Sequence, residues 1–299
     1  MILGFPGQNA TFTGRATITS ADPTTGDEDN LMNYRLASNA VYTAVSTGTP
    51  SGIFIDIDRG DPLPTNSPTF ILLSGFSVAD YDYSDDTTLL SDIFVEMNTD
   101  SGYDSGSVTT LAQIQQSTPT PTYGAKAFGQ AQIFANFSEA MTDRYIRIRL
   151  VTSSSTALVT IGNVWIGEGI DSVADGWNLD TRPEFGVVNR NRYTNLETGG
   201  QSGLQRKSIR TARGRIPASK QAYHLFMDMV EGRLSHLVDD PINPLAIAFD
   251  PDNDLRTATG QHFFAGLWRF QGNPAPRAIG AIDTEKFIPA IPFNVREHR

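Results

Sequence analysis

Carboxylates at alternate positions are the residues of this chain best spaced to do chemistry: Asp56, Asp58 and Asp61; Asp80, Asp82, Asp85 and Asp86; and Asp250, Asp252 and Asp254. Oxygens so spaced are what calcium loops use. The third group comes nearest to an EF-hand frame, but Leu255 stands where the sixth position needs glycine and Gln261 where the twelfth needs glutamate. Asp also favours turns, through hydrogen bonds to its own backbone, so the three groups read as solvated turns. A pair of carboxylates would serve a glycosidase, provided that folding sets the right separation between them. The histidines, at 224, 236, 262 and 298, fall in no H-E-x-x-H frame, and the first two are not spaced for adjacent helical turns. Cysteine is absent, which removes thiol catalysis, disulfides and Cys-based zinc sites. No nucleophile elbow, Walker loop or dinucleotide fingerprint occurs. No catalytic residue, metal or cofactor is expected, and the chain reads as non-enzymatic.

Two further groups of side chains suit binding. Arg182, Arg190, Arg192, Arg206, Lys207, Arg210, Arg213 and Arg215 crowd a stretch that holds only Glu184 and Glu197 in opposition. Such a stretch docks on an acidic neighbour, contacts DNA, or simply balances the remaining surface. Residues 1–180 hold 21 Asp/Glu against 7 Lys/Arg, and residues 181–299 hold 12 against 16. Phosphate is repelled by the first part, so nucleic acid is not the expected partner. Pairing between copies needs one assumption fewer, since the same chain carries both signs. Tyr81, Tyr83, Tyr103 and Tyr123 are the second group, an aromatic platform for a glycan if exposed and loop packing if not.

The elements that must position these residues change character along the chain. Short apolar runs at 16–19, 40–45, 53–57, 70–73, 93–97, 132–137, 145–151 and 158–166 are separated by Pro- and Gly-rich turns. Several alternate with period two. In 144–150 the arginines share one side with Tyr145, while Ile146, Ile148 and Leu150 share the other, which describes a strand with a dry face. The expectation is an antiparallel β-sandwich of jelly-roll type over residues 1–175. Residues 176–299 read as an α+β domain: a strand at 208–216, strands at 245–249 and 262–270, and an extended tail at 279–293. Its one principal helix, at 218–237, has Ala222, Leu225, Phe226, Met229 and Val230 on one face. The fold class is mainly β. At 299 residues, with 39% hydrophobic and 19% charged, both parts can bury a core. No apolar run is long enough to span a membrane and no export signal is evident, so cytosolic synthesis is expected.

The order and spacing of YRLAS at 34–38, GIFIDID at 52–58, FILLSGF at 70–76, RYIRI at 144–148 and IGNVWIG at 161–167 resemble galactose-binding-like (discoidin-type) sandwiches. The closing pair of motifs also looks like sandwich domains of tailed-phage tail proteins, of the minor or distal-tail type. No sugar- or calcium-binding loop of the family can be matched residue by residue. The resemblance implies a structural component of a tailed-phage virion, made in the host cytoplasm. It would assemble as a homo-oligomeric ring with other virion proteins through the C-terminal domain. The alternative it implies is a glycan-binding module that recognises a host surface through the sandwich.

Overall fold

The computed structural model describes residues 1–11, 16–18, 23–34, 39–43, 51–60, 67–79, 90–103, 108–115, 131–152, 158–171, 184–188, 192–195, 201–204, 209–216, 224, 244–249, 265–271 and 291–298. The chain is mainly β, with antiparallel sheets throughout its described part. Its strands are β1 (Ile2–Asn9), β2 (Thr17–Ile18), β3 (Ala40–Thr43), β4 (Ser51–Asp58), β5 (Phe70–Ala79), β6 (Leu90–Asn98), β7 (Thr109–Gln115), β8 (Ala131–Asn136) and β9 (Tyr145–Thr152). They continue with β10 (Leu158–Ile161), β11 (Asn163–Asp171), β12 (Glu184–Val188), β13 (Arg192–Asn195), β14 (Gln201–Leu204), β15 (Ile209–Ile216), β16 (Leu245–Ala248), β17 (Ala265–Phe270) and β18 (Ile291–Glu297). Two compact units result: residues 2–170 with 246–266, and residues 171–245 with 267–299 and Met1. The first unit also takes in a later segment, residues 246–266. The reason is pairing: Ile2, Leu3 and Gly4 of β1 lie opposite Ala248, Ile247 and Ala246 of β16.

The first unit is a sandwich. One sheet runs β2-β4-β9-β6-β7, and the other contains β3, β10, β5, β11, β1 and β16 with β8 beside β5. Period-two alternation sends Ile53, Ile55 and Ile57 of β4, Ile93, Val95 and Met97 of β6, and Ile146, Ile148 and Leu150 of β9 into a single core. Ile71, Leu73, Val159, Ile161, Val164 and Ile166 meet them from the other sheet. β5 and β11 are buried on both faces; beyond the sandwich core the Phe70 ring stacks 4.7 Å from Trp165 and lies 5.4 Å from Phe134. That explains why 70–76 reads as a continuous apolar run and not as an alternating one.

The single strand expected over 158–166 is two. Gly162 interrupts it, its N–H donating to the Ser74 carbonyl at 2.9 Å. Opposite lies a bulge between Ser74 and Phe76, where Gly75 takes a φ of +67° that a side chain would resist. Here a Cβ on Gly75 would also press on Gly162 at 3.2 Å. β1, β7 and β12 to β14 were not expected. A short 3-10 helix (Glu28–Met32) is capped by Asp27, whose carboxylate accepts from the Asp29 N–H.

In the second unit β12, β15, β18 and β17 pair in that order, and β13 and β14 form a separate hairpin. Ala212, Ile216, Ile291, Phe293, Val295, Leu267 and Trp268 are all fully buried, with Phe270 edge-on to Phe293 at 5.5 Å. The expected strands at 208–216, 245–249 and 262–270 form as β15, β16 and β17, and the expected extended tail ends in the strand β18. The helix expected over 218–237 lies outside the described residues except for His224, which is helical.

Candidate functional site: a guanidinium, carboxylate and aromatic lattice

The side of β4, β9 and β6 turned away from the core carries the densest set of polar and aromatic groups described. Register fixes it. Phe54 lies opposite Arg149, which lies opposite Phe94; Asp56, Arg147 and Glu96 form the next row; Asp58, Tyr145 and Asn98 form the third. Directly opposed side chains on one face come within contact distance, so these rows are interaction units.

Each arginine holds a carboxylate by two bonds. Arg147 donates from Nε and Nη2 to the two oxygens of Asp56 at 2.6 and 2.9 Å. Arg144 does the same to Asp58 at 2.7 and 2.8 Å. Arg149 reaches diagonally to Glu96, with Nη2 to Oε1 at 2.6 Å and Nε shared between Oε1 at 3.2 Å and Oε2 at 3.4 Å. The guanidinium planes also lie over rings: Arg149 4.0 Å from the Phe94 centroid, Arg147 4.0 Å from Tyr103 and 5.1 Å from Phe54, and Arg144 5.1 Å from Tyr145. Arginine suits both contacts because its flat fork matches a carboxylate while its weakly hydrated face stacks on a ring. The lattice is only part-exposed, and Glu96 is buried.

The electrostatics follow from these bonds. Hydrogen bonding to Asp56 raises the already high pKa of Arg147. The Arg144 hydrogen bonds hold the Asp58 carboxyl below its ordinary value, with a further contribution from the Gly60 N–H. Burial, and after it the nearby Asp56 carboxylate, pushes the Tyr103 phenol well above its usual range. Two groups at this end keep hydrogen-bonding capacity: the buried Tyr103 Oη and the buried Asn98 Nδ2 have no partner among the described residues. Asn98 turns its oxygen to the Asp100 N–H at 3.1 Å, which shapes the turn that leads to Tyr103 at φ 55°.

Of the carboxylates considered for calcium, Asp56 and Asp58 spend both oxygens on arginine; Asp61 and the groups at 80–86 and 250–254 lie outside the described residues. No group of three His, Cys, Asp or Glu that could hold a metal is found among the described residues. His224 is exposed, His298 follows β18, and His236 and His262 are outside the description. Among the tyrosines only Tyr103 is described, and it packs against Arg147; Tyr81, Tyr83 and Tyr123 lie outside. The basic stretch divides. Arg182, Arg190, Arg206 and Lys207 are not described, and Arg192 is placed only as part of β13. Arg213 and Arg215 are exposed, but Arg210 turns the other way along β15, as strand alternation requires, and pairs with buried Glu297 at 2.7 Å. Arg210 is therefore an internal residue and not part of a docking face. Sequence reasoning missed Phe54, Phe94, Glu96 and Asn98; the only signal for them was alternation within β4 and β6.

No protein-family model and no curated protein matches the chain. Solved structures similar to it include a chitosan-binding module from a chitosanase/glucanase of Paenibacillus sp. IK-5, at 12% identity and TM-score 0.35, covering 54% of this chain and 98% of that one. A fucose-binding module of Streptococcus pneumoniae matches at 14% and 0.31, covering 53% and 94%. A Ruminococcus gnavus fucosidase matches at 16% and 0.35, covering 55% of this chain but only 27% of its own length. At such identities and scores the likeness names no ligand for this chain.

Proposed function

We propose that the sandwich unit is a glycan-binding module and that its binding surface is the outer face of β4, β9 and β6. The observation that carries this reading is the state of Arg147 and Arg149. Each engages its carboxylate through Nε and Nη2, and no described group accepts from either Nη1. Two N–H forks are thereby held in fixed orientation beside the Phe54 and Phe94 rings. A sugar offers hydroxyl oxygens along its edge and C–H bonds on its face, which such donors and rings complement; donors already fixed lose little entropy on binding. The lattice carboxylates serve to hold the arginines, and with both oxygens so engaged they are poorly suited to proton transfer, so the reading is binding without catalysis. A tail-proximal component of a phage particle that recognises a cell-surface glycan is the setting in which the family resemblance would place this face.

The test is a glycan array with the full chain, followed by calorimetry on the best ligand. Phe94→Ala and Arg149→Met should each weaken binding about tenfold or more while Arg213→Met, on the second unit, leaves it unchanged. Absence of any glycan ligand, or equal affinity of all three variants, overturns the proposal.

A further inference from the structure

β11, β5 and β8 lie side by side in the sheet of the first unit that does not carry the lattice. Asn163 lies opposite Ser74, and Ser74 opposite Gln132, so three polar side chains form one row across three strands. Opposed residues share a face, and the next row on that face is apolar: Trp165, Leu72 and Phe134. Asn163 and Ser74 are fully buried, and Gln132 is 4% exposed. Yet the Asn163 Oδ1, the Ser74 Oγ and the Gln132 Oε1 have no hydrogen-bond partner among the described residues. About nine in ten buried polar groups or more do have one, so three such oxygens in a single row call for an occupant. The Asn163 amide is oriented by its other end, because Nδ2 donates to the Leu31 carbonyl at 2.8 Å and leaves Oδ1 as the open atom. The three cannot satisfy one another. Two amide oxygens only accept, and the one hydroxyl proton serves only one of them. Serine, the shortest of the three, stands on the middle strand between two longer side chains.

We infer that the row Asn163, Ser74 and Gln132 is a binding site for a single internal water molecule. The water donates its two protons to the Asn163 and Gln132 oxygens and accepts the Ser74 proton, which gives it the three bonds that a buried water typically makes. Its second lone pair matches the Trp165 Nε1, a fully buried donor one row away that also has no partner among the described residues. A metal ion suits the row less well, since hard cations gather about six to eight oxygens and none of these three brings a compensating charge. The water ties β8 to β11 across the strand that separates them. It does so where the bulge between Ser74 and Phe76 breaks the regular ladder, and a water-mediated bond is nearly as favourable as a direct one. The site lies on a different sheet from the face proposed for glycans and does not rest on that reading.

A crystal structure of the full chain, at a resolution that shows ordered solvent, tests it directly. One solvent peak should lie about 2.7–3.2 Å from the Asn163 Oδ1, the Ser74 Oγ and the Gln132 Oε1. In solution the same water should give an NMR cross-relaxation peak to the Asn163 side-chain amide protons. Gln132→Met keeps the length of the side chain but removes an acceptor, and it should weaken that peak severalfold. Arg213→Met, on the second unit, should leave it unchanged. Melting curves show whether the variants stay folded, and should Gln132→Met fail to fold, the wild-type crystal and the wild-type peak still decide. A row without solvent in the crystal, an occupant at the distances of about 2.3–2.6 Å that mark a calcium ion, or a cross-peak indifferent to Gln132→Met overturns the proposal.

Discussion

Glu297 and Arg210 give the clearest energetic test of the second unit. The Glu297 side chain is 2% exposed and that of Arg210 13%. Arg210 donates to Glu297 twice, from Nη2 to Oε1 at 2.7 Å and from its own backbone N–H to Oε2 at 3.2 Å, while its guanidinium lies 5.4 Å from the Trp268 ring. Removing one partner of a buried pair leaves the other charged and desolvated, which costs about 3–5 kcal/mol. Glu297→Gln keeps the shape and one acceptor, so it should fall near the lower end, about 3 kcal/mol; Arg210→Met strands the more deeply buried carboxylate and should cost at least as much. Arg210→Met with Glu297→Leu removes both charges and should be close to neutral, since apolar replacements of buried pairs are often neutral or stabilising. Amide exchange of β15 and β18 reads the stability of this unit by itself. A loss below about 1 kcal/mol for Glu297→Gln, the range of an exposed pair, would show that water reaches the pair and would refute this reasoning.

Gly4→Ala should destabilise the first unit by about 1–3 kcal/mol or more, because the added Cβ would drive into the Trp165 ring and lie 2.7 Å from Phe70; thermal melting checks it. Arg144→Gln should raise the titration midpoint of Asp58, followed by NMR, toward the ordinary value of about 4. Since the folded value lies below the unfolded one, the stability from this pair is present above about pH 4 and fades as pH falls through the folded midpoint. The gap in melting temperature between wild type and Arg144→Gln should therefore close on acidification. A chain ended at residue 170 should melt well below the full protein, because β16 is gone and β1 is left without that neighbour; equal melting temperatures would show that 246–266 adds nothing to the first unit.

Strands with one dry face were legible because alternation is a local property. Ile146, Ile148 and Leu150 point to the core as their spacing requires. β7, over TTLAQIQ, was missed because Thr and Gln dilute its pattern, although Leu111 and Ile114 are buried. β1 escaped because both its faces are largely covered and Gly4 and Gly7 read as turn residues. The return of residues 246–266 to the first unit could not be read at all. Pairing between β1 and β16 spans some 240 positions, and nothing local in either strand names the other.

The lattice shows the same limit in chemical terms. The sequence displays Arg147 and Arg149 on one side of one strand, with Arg144 just before it, and Asp56 with Asp58 on one side of another, so two columns of opposite charge were in view from the start. What it does not display is that β9 lies between β4 and β6, and this placement decides the chemistry. With β4 alone as neighbour, Arg149 would face Phe54 and have no carboxylate; β6 supplies Glu96 for its charge and Phe94 for its face. The two aspartates that looked like metal ligands become clamps on Arg144 and Arg147, and three flexible side chains become fixed donors. A calcium loop and a rigid guanidinium array use the same Asp-x-Asp spacing. Only the neighbour across the sheet separates them, which is why the lattice follows from strand order and not from any motif.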